Sequence, residues 1–141
     1  MTTPNQLAIR LAIEDLNAAF AYHLDHNQLE PLVDLFTADG RYYHGERRTE
    51  GREALRALFV ARITAGRTSR HFYSGLRIDI HDERSASGHS VWMAFAANQA
   101  PPVGFCTPHL VADFIDRYAL GADGRWRIAQ RDIQRVFAAA S

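Results

Sequence analysis

At Gly66 the spacing of apolar residues changes from helical to alternating, and that change limits the folds open to this chain. Before it, Leu7, Leu11, Leu16, Phe20 and Leu24 recur at steps of four or five, with Ile9 and Ile13 widening the stripe. Such a face belongs to one long amphipathic helix. Thr3-Pro4 supplies its cap and first-turn proline, and His26-Asn27-Gln28 breaks the pattern near Asp25 or His26. Leu29 to Phe36 reads as a short second helix, with Pro31 tolerated in its first turn and Asp39-Gly40 as its end. Arg41 to His44 reads as a short strand, and Gly45 to Thr49 as a turn with room for another. Gly51 to about Ala65 is a third helix, with Leu55, Leu58, Phe59 and Ile63 on one side and arginines spread along it.

Beyond Gly66 the stretch Ser69 to Ile80 has strand composition and period-two order. Strict alternation puts Phe72, Leu76, Ile78 and Ile80 on one face, and His71, Tyr73, Gly75, Arg77 and Asp79 on the other. The spacing predicts strands over Arg70 to Asp82, Ala86 to Asn98, His109 to Leu120 and Arg125 to Phe137. Turns fall at Glu83-Arg84-Ser85 and at Gly121 to Gly124, and Gln99 to Pro108 is a loop carrying proline and glycine. Helices first and an antiparallel meander second argue for an α+β fold with the helices on one sheet face. No linker interrupts residues 1–141, so a single domain is expected. A curled sheet closed by helices makes a cone with an apolar interior, a natural ligand cavity.

The totals narrow function. Sixteen basic and sixteen acidic residues cancel, leaving none of the positive field that nucleic-acid binding draws on. No apolar run reaches membrane-spanning length, and no basic cluster flanks one. The lone cysteine, Cys106, excludes an internal disulfide and fits a reducing compartment. Met1 to Gln6 is polar and uncharged, unlike a signal peptide, so a cytoplasmic protein is expected.

His71 opens the polar side of the Ser69–Ile80 strand, and Asp25 closes the first helix. A neutral imidazole is a usable base near pH 7. A buried carboxylate that accepts its Nδ1–H fixes the tautomer and stabilises the imidazolium formed later. Asp25 and His71 together suit removal of a proton beside a carbonyl, followed by loss of water or halide; the plainer alternative is a helix cap and a polar strand end. Tyr42 and His44 share a strand face, where His44 is either an acid or oxyanion donor or simple surface polarity. Tyr73 either lines a pocket or is a half-buried core residue. Asp113, between Ala112 and Phe114, needs a partner if buried. Arg131 or Arg117 would make it a structural ion pair; otherwise it contacts substrate. Phe20, Leu24, Leu58, Phe59 and Trp92 are either pocket walls or core. The seven histidines include His23 and His26 three apart, yet no further ligand stands at a recognisable spacing, so no metal is expected. No glycine-rich phosphate loop occurs, so no nucleotide cofactor is expected either. Cys106 offers no case for a nucleophile.

Asp25-His26-Asn27-Gln28-Leu29-Glu30-Pro31-Leu32 followed by Leu35-Phe36-Thr37-Ala38-Asp39-Gly40 resembles a segment of the SnoaL-like branch of the nuclear transport factor 2-like superfamily. The likeness continues through Glu50 to Leu55, Arg70-His71-Phe72 and Asp123 to Ile128, in order along nearly the whole chain. It implies a cystatin-like cone, a curled antiparallel sheet closed by three N-terminal helices around an apolar pocket. Scytalone dehydratase, bile-acid dehydratase and hexachlorocyclohexane dehydrochlorinase pair an aspartate ending the first helix with a histidine opening the strand after the third. Asp25 and His71 stand at those positions, so the resemblance implies an Asp–His dyad. Ketosteroid isomerases are also relatives, but Phe20 and His44 replace their essential tyrosine and catalytic aspartate, which argues against the isomerase plan. Relative to scytalone dehydratase, Ala96 replaces a histidine and Leu24 a tyrosine, while Asp113 falls at a polar pocket position.

The implied activity is a cofactor-independent lyase of dehydratase type, or an isomerase, acting on a small, mostly apolar, cyclic molecule. Expected substrate contacts are Phe20, Leu24, Tyr42, His44, Phe59, Tyr73, Trp92 and Asp113. The alternative is a non-catalytic module that binds small molecules or assembles, like the small subunit of ring-hydroxylating dioxygenases. Members usually pair through the outer sheet face, so with four apolar residues of the Ser69–Ile80 strand read there a homodimer is expected.

Overall fold

The computed structural model describes residues 2–104 and 107–139, so Cys106 lies outside the described residues. Helix α1 (Pro4–Asp25) opens on a reciprocal cap. Gln6 N–H donates to Thr3 Oγ1 at 3.1 Å, and Thr3 N–H donates to the Gln6 side-chain oxygen at 3.0 Å, satisfying two donors that a helix start leaves orphaned. Ile9, Ile13, Leu16, Phe20 and Leu24 form its buried stripe. Leu7 and Leu11, expected in that stripe, are exposed. No helix among the described residues is long and apolar enough to cross a membrane.

Helix α2 (Leu29–Asp34) stops two residues earlier than the sequence suggested, and strand β1 (Phe36–His44) begins earlier. The cause is a long-range contact: Leu35 C=O accepts the Ile128 N–H at 2.8 Å, which commits the chain to the sheet. Asp39-Gly40 therefore lies inside a strand instead of ending a helix. Gly40 is required there, because a Cβ would sit 2.9 Å from Phe36 Cβ. Strand β2 (Arg47–Glu50), helix α3 (Arg52–Thr64), and strands β3 (Thr68–Asp82), β4 (Ser85–Ala97), β5 (Leu110–Leu120) and β6 (Trp126–Ala138) complete the order.

The sheet runs β2-β1-β6-β5-β4-β3. All neighbours are antiparallel except β1 and β6, which are parallel, so the sheet is mixed where a wholly antiparallel one was expected. The meander from β3 to β6 brings the last strand back beside the first in the same direction. Edges β2 and β3 stay unpaired with each other, leaving the curled sheet open. The helices pack on its inner face through one apolar core. Phe20 stands edge-on to Phe36, Trp92 and Phe114, with centroids 6.2, 5.8 and 6.5 Å away. Each such edge contact is worth about 0.5–1.5 kcal/mol beyond buried area.

Strand β3 carries the largest departure from simple alternation. Its register with β4 runs to Ser74↔Val91 and resumes at Arg77↔His89, so β3 holds one extra residue. Gly75, at φ +64°, occupies that bulge in a conformation glycine adopts without strain. A one-residue slip sends every later side chain to the opposite face. Phe72 faces outward and is 56% exposed, whereas Ile78 is buried and Leu76 and Ile80 pack against the core. Of the four residues assigned to the outer face, only Phe72 lies there.

Candidate active site

The last residue of α1 and the fourth of β3 meet. Asp25 Oδ1 lies 2.6 Å from His71 Nδ1, and Oδ2 accepts the His71 backbone N–H at 2.7 Å. Ser69, two residues earlier on the same strand face, donates its hydroxyl to Asp25 Oδ1 at 2.8 Å. Arg62 of α3 donates to that hydroxyl oxygen at 2.7 Å. Because a guanidinium can only donate, the Ser69 proton is directed onto Asp25. Burial by itself would raise the Asp25 carboxyl, but the hydrogen bond and charge of the His71 ring, with Ser69 and the His71 amide, outweigh it and hold the group below its ordinary value. An ionised Asp25 accepts only, so the network assigns the imidazole proton to Nδ1 and the lone pair to Nε2.

His71 forms part of the wall of a cavity of about 490 Å³ bounded by α1, α3 and the inner sheet face. Of the expected contacts, Phe20, Leu24, Tyr42, His44 and Phe59 line it, as does Leu58. Burial raises the Tyr42 hydroxyl, so it stays protonated. Burial, and then the positive charges of Arg47, Arg135 and His109, push His44 down to about 4. It is a neutral imidazole at neutral pH, able to donate from one nitrogen and accept at the other.

Three expected contacts lie elsewhere. Trp92 is sandwiched between Tyr73 and Phe114, with ring separations of 4.6 and 4.5 Å, and its indole N–H donates to Ser90. It is core. Tyr73 covers the far side of that stack, its hydroxyl 3.4 Å from Glu14 Oε2 on α1. Asp113 points to the outer face, since Ala112 and Phe114 take the buried positions of β5, and it sits 3.6 Å from His89 Nε2. The acid that pairs with Arg131 is Asp116. It shares strand parity with Ala112, Phe114 and Tyr118, a signal present in the sequence.

The cavity also gathers residues that sequence reasoning did not single out: Arg47, Arg62, Arg67 and His109, with Ser69 behind them. Ser69 could have been found from its two-residue offset to His71. The arginines come from separate elements and carry no common pattern. Among the described residues, no group of three His, Cys, Asp or Glu side chains converges as a metal-ligand set.

Solved structures of similar shape include a candidate scytalone dehydratase from Novosphingobium aromaticivorans, 26% identical, with a TM-score of 0.83 over 94% of this chain and 87% of that one. A Catenulispora acidiphila protein in complex with S-DNPA is 26% identical, with a TM-score of 0.78 over 92% and 95% of the two chains. A Nostoc punctiforme protein of unknown function with a cystatin-like fold is 23% identical, with a TM-score of 0.75 over 89% and 90%, and supports that fold here. No curated protein matches the chain. The model of the SnoaL-like domain matches residues 5–132, and the chain therefore belongs to the SnoaL-like family of the nuclear transport factor 2-like superfamily.

Proposed function

We propose that the protein is a cofactor-independent lyase of dehydratase type, with isomerisation as the other fate of the same intermediate, acting on a small cyclic molecule with an apolar body. The observation that carries this reading is the 2.6 Å contact of Asp25 with His71 beside the cavity. Its likeness to a candidate scytalone dehydratase supports the same class.

In a dehydration, His71 Nε2 takes a proton from the carbon next to a carbonyl, and the C–H electron pair forms the enolate. The enolate then expels the hydroxyl on the neighbouring carbon, which leaves as water after receiving the proton from the imidazolium. Isomerisation returns that proton to another carbon instead. Asp25 stays ionised throughout and steadies the imidazolium. The protonated Tyr42 hydroxyl and neutral His44 are the donors available to a developing oxyanion. General base catalysis of this kind contributes about 10²–10⁴-fold.

Proton exchange from 2-tetralone in D₂O, followed by NMR, tests the step without knowledge of the natural substrate. The wild-type protein is expected to accelerate exchange, and His71→Ala to lose that acceleration by about 10²–10⁴-fold while its melting temperature stays close to wild type. Saturable binding without exchange would make the protein a binding module, and equal exchange by His71→Ala would remove the histidine from the chemistry.

We also propose a homodimer through the outer sheet face. The register aligns Phe72, Met93, Val111 and Phe137 in a row across four strands, with Val91 and Ile115 exposed nearby. Such a patch needs cover. Light scattering is expected to give twice the chain mass, and Phe72→Glu to halve it; a monomeric wild type would end this proposal.

A further inference from the structure

The cavity beside His71 is not electrically neutral. Arg47, Arg62 and Arg67 line it together with His44 and His109, and among the described residues no carboxylate lines it. Asp25 lies behind His71 with both oxygens engaged by Ser69 and His71. Five arginines outside the cavity find acids among the described residues, Arg52, Arg125 and Arg127 on Asp34, Arg56 on Glu30 and Arg131 on Asp116, while others on the surface, such as Arg41 and Arg117, do not. Among the described residues, none of the three cavity arginines has such a partner. Arg67 reaches only Asn98 Oδ1 at 3.3 Å, and Arg47 only His44 Nδ1 at 3.4 Å. Arg62 is spent on Ser69 and, at 3.4 Å, the Leu24 carbonyl.

These groups arrive from β1, β2, α3, the segment after α3 and the segment before β5, so their convergence is not the by-product of one charged helix face. Nor is it the overflow of a basic chain, since the formal net charge is zero. Burial first, and then their neighbours' charges, hold several of them down: Arg67 on Arg62, Arg67 and His71 on His109, Arg47 on His44. Like charges gathered in a partly desolvated site are unfavourable until an anion enters. A guanidinium offers paired donors that match a carboxylate or phosphate oxygen pair.

We infer that the molecule bound here is an amphiphilic organic anion, whose apolar body lies against Phe20, Phe59 and Phe114 and whose oxyanion, a carboxylate or phosphate ester, is held by Arg67 and Arg47. This deepens the proposed function and rests on the same cavity being the site. It adds to the mostly apolar ligand a charged end that orients it, so that the body is presented to His71 in one direction.

The test compares binding of 2-naphthoate, 2-naphthyl phosphate and 2-naphthamide to the full chain by titration calorimetry at low salt. At least one anion is expected to bind tenfold or more tightly than the amide, and the tighter anion names the headgroup. The gap is expected to narrow at high salt and in Arg67→Gln and Arg47→Gln, whose circular dichroism and melting temperature check the fold. Equal affinities, a preference for the amide, a gap untouched by both substitutions, or no anion binding at millimolar concentration would overturn the inference. The exchange assay with 2-tetralone is read separately. Exchange without anion preference overturns only this inference, and anion preference without exchange overturns only the proposed chemistry.

Discussion

Two buried carboxylates in this fold meet a cationic or basic partner, and they differ in what lies beyond that partner. Asp25 holds His71, and His71 faces a cavity. Asp116 holds Arg131 through two bonds of 2.9 Å, and beyond Arg131 lie the rings of Phe20, Phe114 and Trp92, at 4.5, 4.9 and 5.3 Å. Tyr118 donates to Asp116 at 2.7 Å, Asn17 accepts from Arg131, and all four residues are buried. Burial alone would weaken the guanidinium's hold on its proton, but Asp116 more than restores it. Arg131 Nη1 has no hydrogen-bond acceptor among the described residues, so the aromatic faces are what it has in its place. The sealed network ties α1, β5 and β6 together. The open one has a ring nitrogen left over. Similar chemistry becomes a tool only where a void adjoins it.

If that contrast holds, damage to the two acids must read out differently. Asp25→Asn keeps the shape but loses the charge that fixes the Nδ1–H tautomer, and exchange of 2-tetralone is expected to drop by up to about 10⁴-fold. Its urea midpoint is expected to shift only modestly. Asp116→Ala strands a buried guanidinium and is expected to cost about 3–5 kcal/mol of stability, a large share of the about 5–15 kcal/mol that holds a domain together. Replacing both partners, as Asp116→Leu with Arg131→Met, is expected to recover most of that loss, because an apolar pair needs no compensation. Urea denaturation of the three variants decides the matter: an Asp25→Asn that unfolds beside a stable Asp116→Ala would exchange the two roles.

Ser69 sharpens the comparison at a smaller scale, since it is the buried hydroxyl through which Arg62 reaches Asp25. Ser69→Ala removes a charge-assisted bond and leaves both neighbours short of a partner, at about 1–3 kcal/mol. Activity is expected to fall about tenfold, because Asp25 keeps both bonds to His71. A loss as deep as that of Asp25→Asn would make Ser69 part of the reacting group itself.

How far the sequence reaches depends on whether a signal is local. The helices, the order of the strands and the meeting of Asp25 with His71 followed from periodicity, punctuation and family resemblance. The faces of β3 did not, because a bulge at Gly75 resets the alternation and nothing around that glycine distinguishes it from a flexible strand residue. Asp113 and Asp116 differ only in parity, and the apolar neighbours of Asp113 drew attention from the acid that is buried. Tyr73 and Trp92 stack on each other because β3 and β4 pair them directly, and pairing register is a property of two strands together. The cavity arginines were hidden for the same reason. Each looks like a solvated cation on its own element, and only the closed cone shows that they face one space.

The smallest expected effect concerns the cavity's uncharged histidine and depends on pH. Burial, and then the nearby positive charges, push His44 down to about 4 in the fold from an ordinary 6.5, so between those values the unfolded chain holds a proton that the folded chain lacks. Stability therefore falls as pH drops from about 6.5 toward 4 and no longer changes on this account below that. Asp25 acts in the same direction at lower pH. Its carboxyl is held below 3.8 in the fold, so its contribution is present above that value and lost as pH falls through the folded one. His109, also depressed by burial and by Arg67 and His71, adds to the upper limb. His44→Gln should flatten the upper limb and spare the lower. Urea midpoints at pH 7 and pH 5 are expected to draw closer by an amount equivalent to roughly 1 kcal/mol after solvent screening. An unchanged difference would mean that His44 is solvated like an ordinary surface imidazole, and the β1 side of the cavity wall would then be open to water.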